Sequence, residues 1–129
     1  MNDKPIGDMP VVYVAGPYNA NGTCNVMANI RNGIDACQTL ITYGFAPLCP
    51  WLDFVYCLKE DFCEADLKAV SMAHMRKSDA VYVNPDGADY TKSAGTLAEI
   101  NEANRLNIPV FYDWAKLMAW RKKWEAGRA

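Results

Sequence analysis

The sequence predicts an α/β fold: a doubly wound parallel sheet of four to five strands in a single domain spanning residues 1–129. Three observations carry that prediction. Short apolar runs rich in β-branched and aromatic residues, of which DAVYVNP (79–85) is the clearest, have the length and composition of buried strands. Between them lie stretches of ten residues or more whose apolar positions recur three and four apart, the spacing of a helix. Strand and helix alternate along the chain, which pairs strands in parallel through right-handed crossovers. The expected architecture is therefore flavodoxin- or Rossmann-like.

The elements follow in order. PVVYVAG (10–16) reads as a buried strand entering a tight turn, and PYNANGTCN as a loop with Asn-Gly as its turn signal. From Asn25 to Tyr43, Met27, Ile30, Ile34, Cys37 and Ile41 mark one face of an amphipathic helix that Gly44 stops. FAPLCP (45–50) is a second strand, and WLDFVYCLKED a loop with room for one helical turn. Residues 61–77 read as a helix with Cys63, Leu67, Val70 and His74 along its inner side. After the third strand comes the polar loop PDGADYTKSAG, a helix from Thr96 to Asn107, and a fourth strand, IPVFY (108–112). Leu117, Trp120 and Trp124 give the tail helical spacing, with the tryptophans in the core or at a subunit interface.

Composition narrows the function classes. A chain of 129 residues with 51% apolar content can bury a sizeable core. It has no apolar run long enough to cross a bilayer, and MNDKPIGDMP lacks the apolar stretch of a secretory signal. A net charge of −2 gives no footprint for nucleic-acid binding, and Arg121, Lys122 and Lys123 read as the solvated end of a helix. Five cysteines without a Cys-x-x-Cys pair, and a single histidine, point to a reduced cytoplasmic setting with no metal site.

In such a sheet, ligands bind outside the carboxyl ends of the strands. The loops Gly16–Asn25, Pro50–Lys59 and Pro85–Gly95 are expected to meet there, with Glu99 at the same edge. Ser93, Gly95 and Thr96 open a helix whose free N–H groups suit an anion. They equally suit a simple helix cap. Glu99, three residues after Thr96, fits a capping box as readily as a reacting carboxylate. Tyr13 would face it across the crevice.

VYVAGPYN (12–19), SDAVYVNPDGADYTKSAGTLAEINEA (78–103) and PVFYD (109–113) together resemble the nucleoside 2-deoxyribosyltransferases and the related deoxynucleoside 5'-monophosphate N-glycosidases. The resemblance spans residues 11–112. It implies that Glu99 is the nucleophile on the anomeric carbon, that Tyr13 orients it, and that Gly95 is the turn residue. Ser93, six residues before the glutamate, matches the serine that binds the 5'-phosphate in the monophosphate-cleaving branch. Substrate contacts are expected from Gly16, Asn19, Asp79, Ser93, Gly95 and Thr96. Two positions depart from the pattern: Ser71 stands where many members carry an aspartate, and Asn19 replaces a phosphate-binding arginine, leaving Lys92, Arg31 or a neighbouring subunit to supply charge. The loop PDGADYTKSAGT also resembles a phage-associated branch with a Pro-Gly-Trp-x-x-Ser-x-Gly pattern.

The reaction expected is that of a retaining glycosidase. Ionised Glu99 attacks C1' through an oxocarbenium-like state, and water or a second base then takes the sugar from the ester. His74 is a candidate to protonate the base, and Trp51 and Tyr18 are candidates to stack on it. The resemblance implies a small-molecule nucleotide or nucleoside substrate, no cofactor and a homo-oligomer. A nucleotide-binding sensor module without turnover is the alternative, followed by a ribosyl hydrolase of the NAD or cytokinin type.

Overall fold

The structure, a computed structural model, describes residues 8–17, 21–85 and 89–127. Its strands and helices are β1 (Val11–Ala15), α1 (Thr23–Thr42), β2 (Ala46–Leu48), α2 (Glu64–Arg76), β3 (Ala80–Val83), α3 (Ala94–Arg105), β4 (Val110–Phe111) and α4 (Trp114–Ala126). A 3-10 segment, Pro50–Leu58, follows β2, and a short 3-10 turn, Tyr90–Lys92, precedes α3.

All four strands pair in parallel in the order β2-β1-β3-β4. Side chains alternate across a strand, so one strand feeds two layers. Val12 and Val14 of β1 join Ala80 and Tyr82 of β3 against Cys37 and Leu40 of α1 and Leu117 of α4. Tyr13 and Ala15 join Val81 and Val83 on the other face, against Met75 of α2 and Ile100 and Ala103 of α3. Helices thus cover both faces, as the doubly wound reading expects. The chain runs outward from β1 to β2, then crosses β1 to β3. The switch point lies at the carboxyl ends of β1 and β3, where such sheets form a crevice.

Helix α1 ends where Gly44 adopts φ +87. Gly44 N–H donates to Ile41 O at 3.1 Å and Phe45 N–H to Leu40 O at 3.0 Å, the paired bonds of a Schellman turn. Its buried stripe is only partly the expected one: Cys37 is buried and Ile30 packs against the core as expected, but Asn29, Gly33 and Leu40 complete the stripe while Met27 and Ile41 are 48% and 62% exposed. The cause is Trp51, whose ring lies so close to Gly33 that a Cβ there would sit 2.6 Å from it. Small residues admit the indole, and the helix turns its larger side chains aside.

Helix α2 departs in the same way. Met75 is its buried residue, Cys63 is the N-cap, and Cys63, Val70 and His74 are exposed. Leu67, Ser71 and Met72 face inward instead, toward a cleft rather than a filled core. The expectation that Arg121 is solvated is also corrected. Its guanidinium donates to Gly44 O at 3.1 and 3.2 Å, lies over Phe45 and pairs with Glu125, tying α4 to the end of α1. Lys122 and Lys123 are exposed. No helix among the described residues is long and apolar enough to cross a membrane.

Candidate functional site

A cleft of about 820 Å³ opens at the switch point, within the size range of small-molecule sites. β1 contributes Tyr13, and the turn after it Gly16 and Pro17. The 3-10 segment contributes Pro50 and Asp53, α2 contributes Glu64, Leu67, Lys68, Ser71 and Met72, and the start of α3 contributes Ser93, Gly95, Thr96 and Glu99. Asp89 and Lys92, just before α3, complete the same wall.

The α3 terminus settles how Glu99 is used locally. The helix begins at Ala94, so its N-cap is Ser93 rather than Thr96. Ser93 Oγ accepts from Thr96 N–H at 3.2 Å and from Thr96 Oγ1 at 3.0 Å. Among the described residues the Ser93 hydroxyl donates to no acceptor, so one residue both caps the helix and faces the cleft with a proton to offer a ligand. Glu99 sits in the second turn, beyond reach of the N-cap. The capping-box reading is overturned.

Glu99 Oε2 is left without a hydrogen-bond partner among the described residues, and so is Tyr13 Oη; both atoms are buried. They are close enough to shift one another. Burial pushes the Glu99 carboxyl up to about 7, and the Tyr13 hydroxyl offsets part of that rise. Burial, and then the Glu99 charge, hold the Tyr13 phenol well above its ordinary value. A carboxyl balanced between its two forms near neutrality is a group that can react or exchange a proton.

The remaining expected residues divide. Gly16, Gly95, Thr96 and Lys92 line the cleft. Asp79 does not: it precedes β3 at the opposite end of the sheet, where its carboxylate accepts from Val11 N–H at 2.8 Å. A residue that starts a parallel strand lies a strand's length from the carboxyl edge, so Asp79 is corrected from substrate contact to strand anchor. Trp51 is 2% exposed and packs behind the cleft between Gly16 and Gly33, so it offers no stacking face. His74 and Arg31 are exposed and outside the lining. Asn19 and Tyr18 lie outside the described residues.

Asp53 was missed as an individual residue, although its loop was expected at this edge. Its Oδ2 accepts from Ser71 Oγ at 2.8 Å. The position that departs from the resembling family's aspartate therefore binds a carboxylate delivered by another element. The signal was an acidic residue in the loop after a strand's carboxyl end. Among the described residues, no group of three or more His, Cys, Asp or Glu is arranged to hold a metal ion.

A family model for a domain of unknown function, DUF7768, matches residues 10–113. The chain belongs to that family. No curated protein matches it. The DUF7768 match begins at β1 and ends just before α4, so it takes in every strand and every residue that lines the cleft.

Proposed function

We propose that the chain cleaves the N-glycosidic bond of a (deoxy)nucleoside 5'-monophosphate through a covalent glycosyl-Glu99 intermediate, passing the sugar to water or to another base. The observation that carries this reading is the buried Glu99 carboxylate opposite Tyr13, whose Oε2 has no partner among the described residues, in a cleft whose adjoining wall holds the N-terminus of α3. Among the described residues that oxygen lacks the partner that a purely structural glutamate would have. The positive charge that develops at C1' favours the ionised form just as bonding begins. Tyr13 steadies the carboxylate.

The anion wall consists of the first N–H groups of α3, the Ser93 hydroxyl and the Lys92 ammonium, with the Asp89 carboxylate beside them engaged in capping the Tyr90–Lys92 turn. Holding a 5'-phosphate there supplies binding energy remote from the bond that breaks, which favours a nucleotide over a free nucleoside. The five free cysteines fit a reducing, cytoplasmic setting. Leu52, Val55, Tyr56, Leu58 and Phe62 are exposed apolar side chains on and just beyond the 3-10 segment, which supports assembly as a homo-oligomer.

The test is base release from a panel of nucleoside and deoxynucleoside 5'-monophosphates, with wild type beside Glu99→Ala, in the presence and absence of a second base. Release that disappears in the variant is the expected result. Incorporation of the added base identifies a transferase. A nucleotide that binds without release instead identifies a non-catalytic binding module and overturns the proposal.

A further inference from the structure

Four acidic side chains line the cleft: Asp53, Glu64, Asp89 and Glu99. Two have local duties. Glu64 pairs with Lys68 at 3.2 Å one turn along α2, and Asp89 caps the Tyr90–Lys92 turn by accepting from Thr91 N–H at 3.0 Å and its hydroxyl at 2.6 Å. Glu99 is the proposed nucleophile. Asp53 is held by the half-buried bond from Ser71 to Oδ2, while Oδ1 has no partner among the described residues. It lines the cleft together with Tyr13, Ser71 and Glu99, so it stands within the same group of side chains.

Glycoside cleavage needs a proton donor as well as a nucleophile, because a base that departs as an anion is a poor leaving group. We propose that Asp53, positioned by Ser71, carries the proton in both halves of the reaction, an inference that rests on the glycosidase reading above. In the first half, Glu99 forms its bond to C1', the C1'–N bond breaks with its electron pair on the base, and the Asp53 proton goes to the base. In the second half, water attacks C1', the ester bond breaks with its pair returning to Glu99, and the water's proton goes to Asp53. Asp53 thus regains in the second half the proton that it gives in the first. Ser71 is a positioning residue: its hydroxyl fixes one carboxylate oxygen and leaves the other for the substrate.

The test compares Asp53→Asn with wild type on two substrates. The amide keeps the size of the side chain and an acceptor for Ser71, so an unchanged melting temperature is expected. On an ordinary deoxynucleoside monophosphate, kcat should fall by on the order of 10²–10⁴-fold. A 7-methylated purine nucleotide releases a neutral base without protonation. There the variant should give a burst of base equal to the enzyme present and then stall, with the sugar phosphate on Glu99 visible by mass. Azide, which attacks without losing a proton, should restore turnover. Ser71→Ala should lower kcat about tenfold and Ser71→Thr should recover it. Equal slowing of both substrates, or none, overturns the role of Asp53 while the glycosidase reading stands. If wild type releases no base from any nucleotide, both readings fall together.

Discussion

Tyr13 on β1 and Glu99 on α3 meet inside the cleft with Tyr13 Oη and Glu99 Oε2 both buried and, among the described residues, both unpartnered. Each such atom costs about 1–3 kcal/mol relative to a satisfied one. The surrounding layer bears that cost: Tyr13 is fixed by pairing between Leu48 and Val81, and the turn of α3 after Glu99 is anchored by buried Ile100 and Ala103. Strain of this kind gathers where a ligand completes the set.

That arrangement makes stability depend on pH. The unfolded chain loses the Glu99 proton near the ordinary 4.5, whereas the folded chain keeps it to about 7. Below the lower value the residue's full contribution is present; it declines as pH rises and is gone above the higher one. A displacement of this size corresponds to roughly 3 kcal/mol. Glu99→Gln should therefore match wild type at pH 4 and exceed it in stability at pH 8. Urea denaturation at the two pH values checks this. An unchanged slope in the variant would mean that the carboxyl is not isolated.

The same carboxyl sets the expected pH profile of activity. A nucleophilic Glu99 must be ionised, so kcat/KM should rise with pH through about 7. The Tyr13 hydroxyl lowers that midpoint, so Tyr13→Phe should move it upward as well as reduce kcat. A profile that does not move in the Phe variant would separate the two residues.

Ser93 combines a cap with a ligand contact, and the two can be measured apart. Ser93→Ala removes the acceptor for Thr96 N–H and should cost about 1 kcal/mol of stability, while Ser93→Gly should cost only a few tenths. Both variants should raise KM for a nucleoside monophosphate and leave KM for the free nucleoside unchanged. Equal effects on the two substrates would count against a phosphate at this helix end.

The central strands β1 and β3 were legible because an apolar run buried on both faces of a parallel sheet needs no partner information. That Glu99, Tyr13, Ser93 and Gly95 share one edge was legible because the alternation fixes the direction of the strand and helix that carry them. Inward faces were not. Periodicity pointed α1 along Met27, Ile34 and Ile41, yet the decisive contact is Trp51 on Gly33, between residues 18 apart in sequence. The face of α2 was hidden because it borders a cleft, where Ser71 and Lys68 take places that periodicity reserves for apolar residues. Asp53 was unreadable until the 3-10 segment brought it to Ser71.

Asp79 is expected to matter for folding and not for turnover. Its carboxylate accepts from Val11 N–H at 2.8 Å and joins the starts of β1 and β3. A hydrogen bond to a charged group contributes about 1.5–3 kcal/mol, toward the lower end at an exposed site such as this. Asp79→Ala should thus lower stability by about 1–2 kcal/mol with kcat and KM unchanged. A raised KM at full stability would return the residue to the substrate.

Gly33 tests how the wall of the cleft is held. The Trp51 indole lies between two glycines: a Cβ on Gly33 would come within 2.6 and 2.7 Å of its ring, and a Cβ on Gly16 within 3.2 Å. Helix propensity alone predicts that Gly33→Ala stabilises α1 by about 1 kcal/mol. The clash is with a rigid, buried ring, and overpacking of that kind costs about 1–3 kcal/mol. It has to overcome the propensity gain as well, so a net loss of up to about 2 kcal/mol is expected. The displaced indole also carries Pro50 and Asp53, its neighbours in the chain, so catalysis should weaken alongside stability. Trp51→Phe, with a smaller ring, should relieve the clash, and a double-mutant cycle should return a coupling above about 0.5 kcal/mol. Should Gly33→Ala instead raise the melting temperature, α1 and the 3-10 segment are not in the contact that places Asp53.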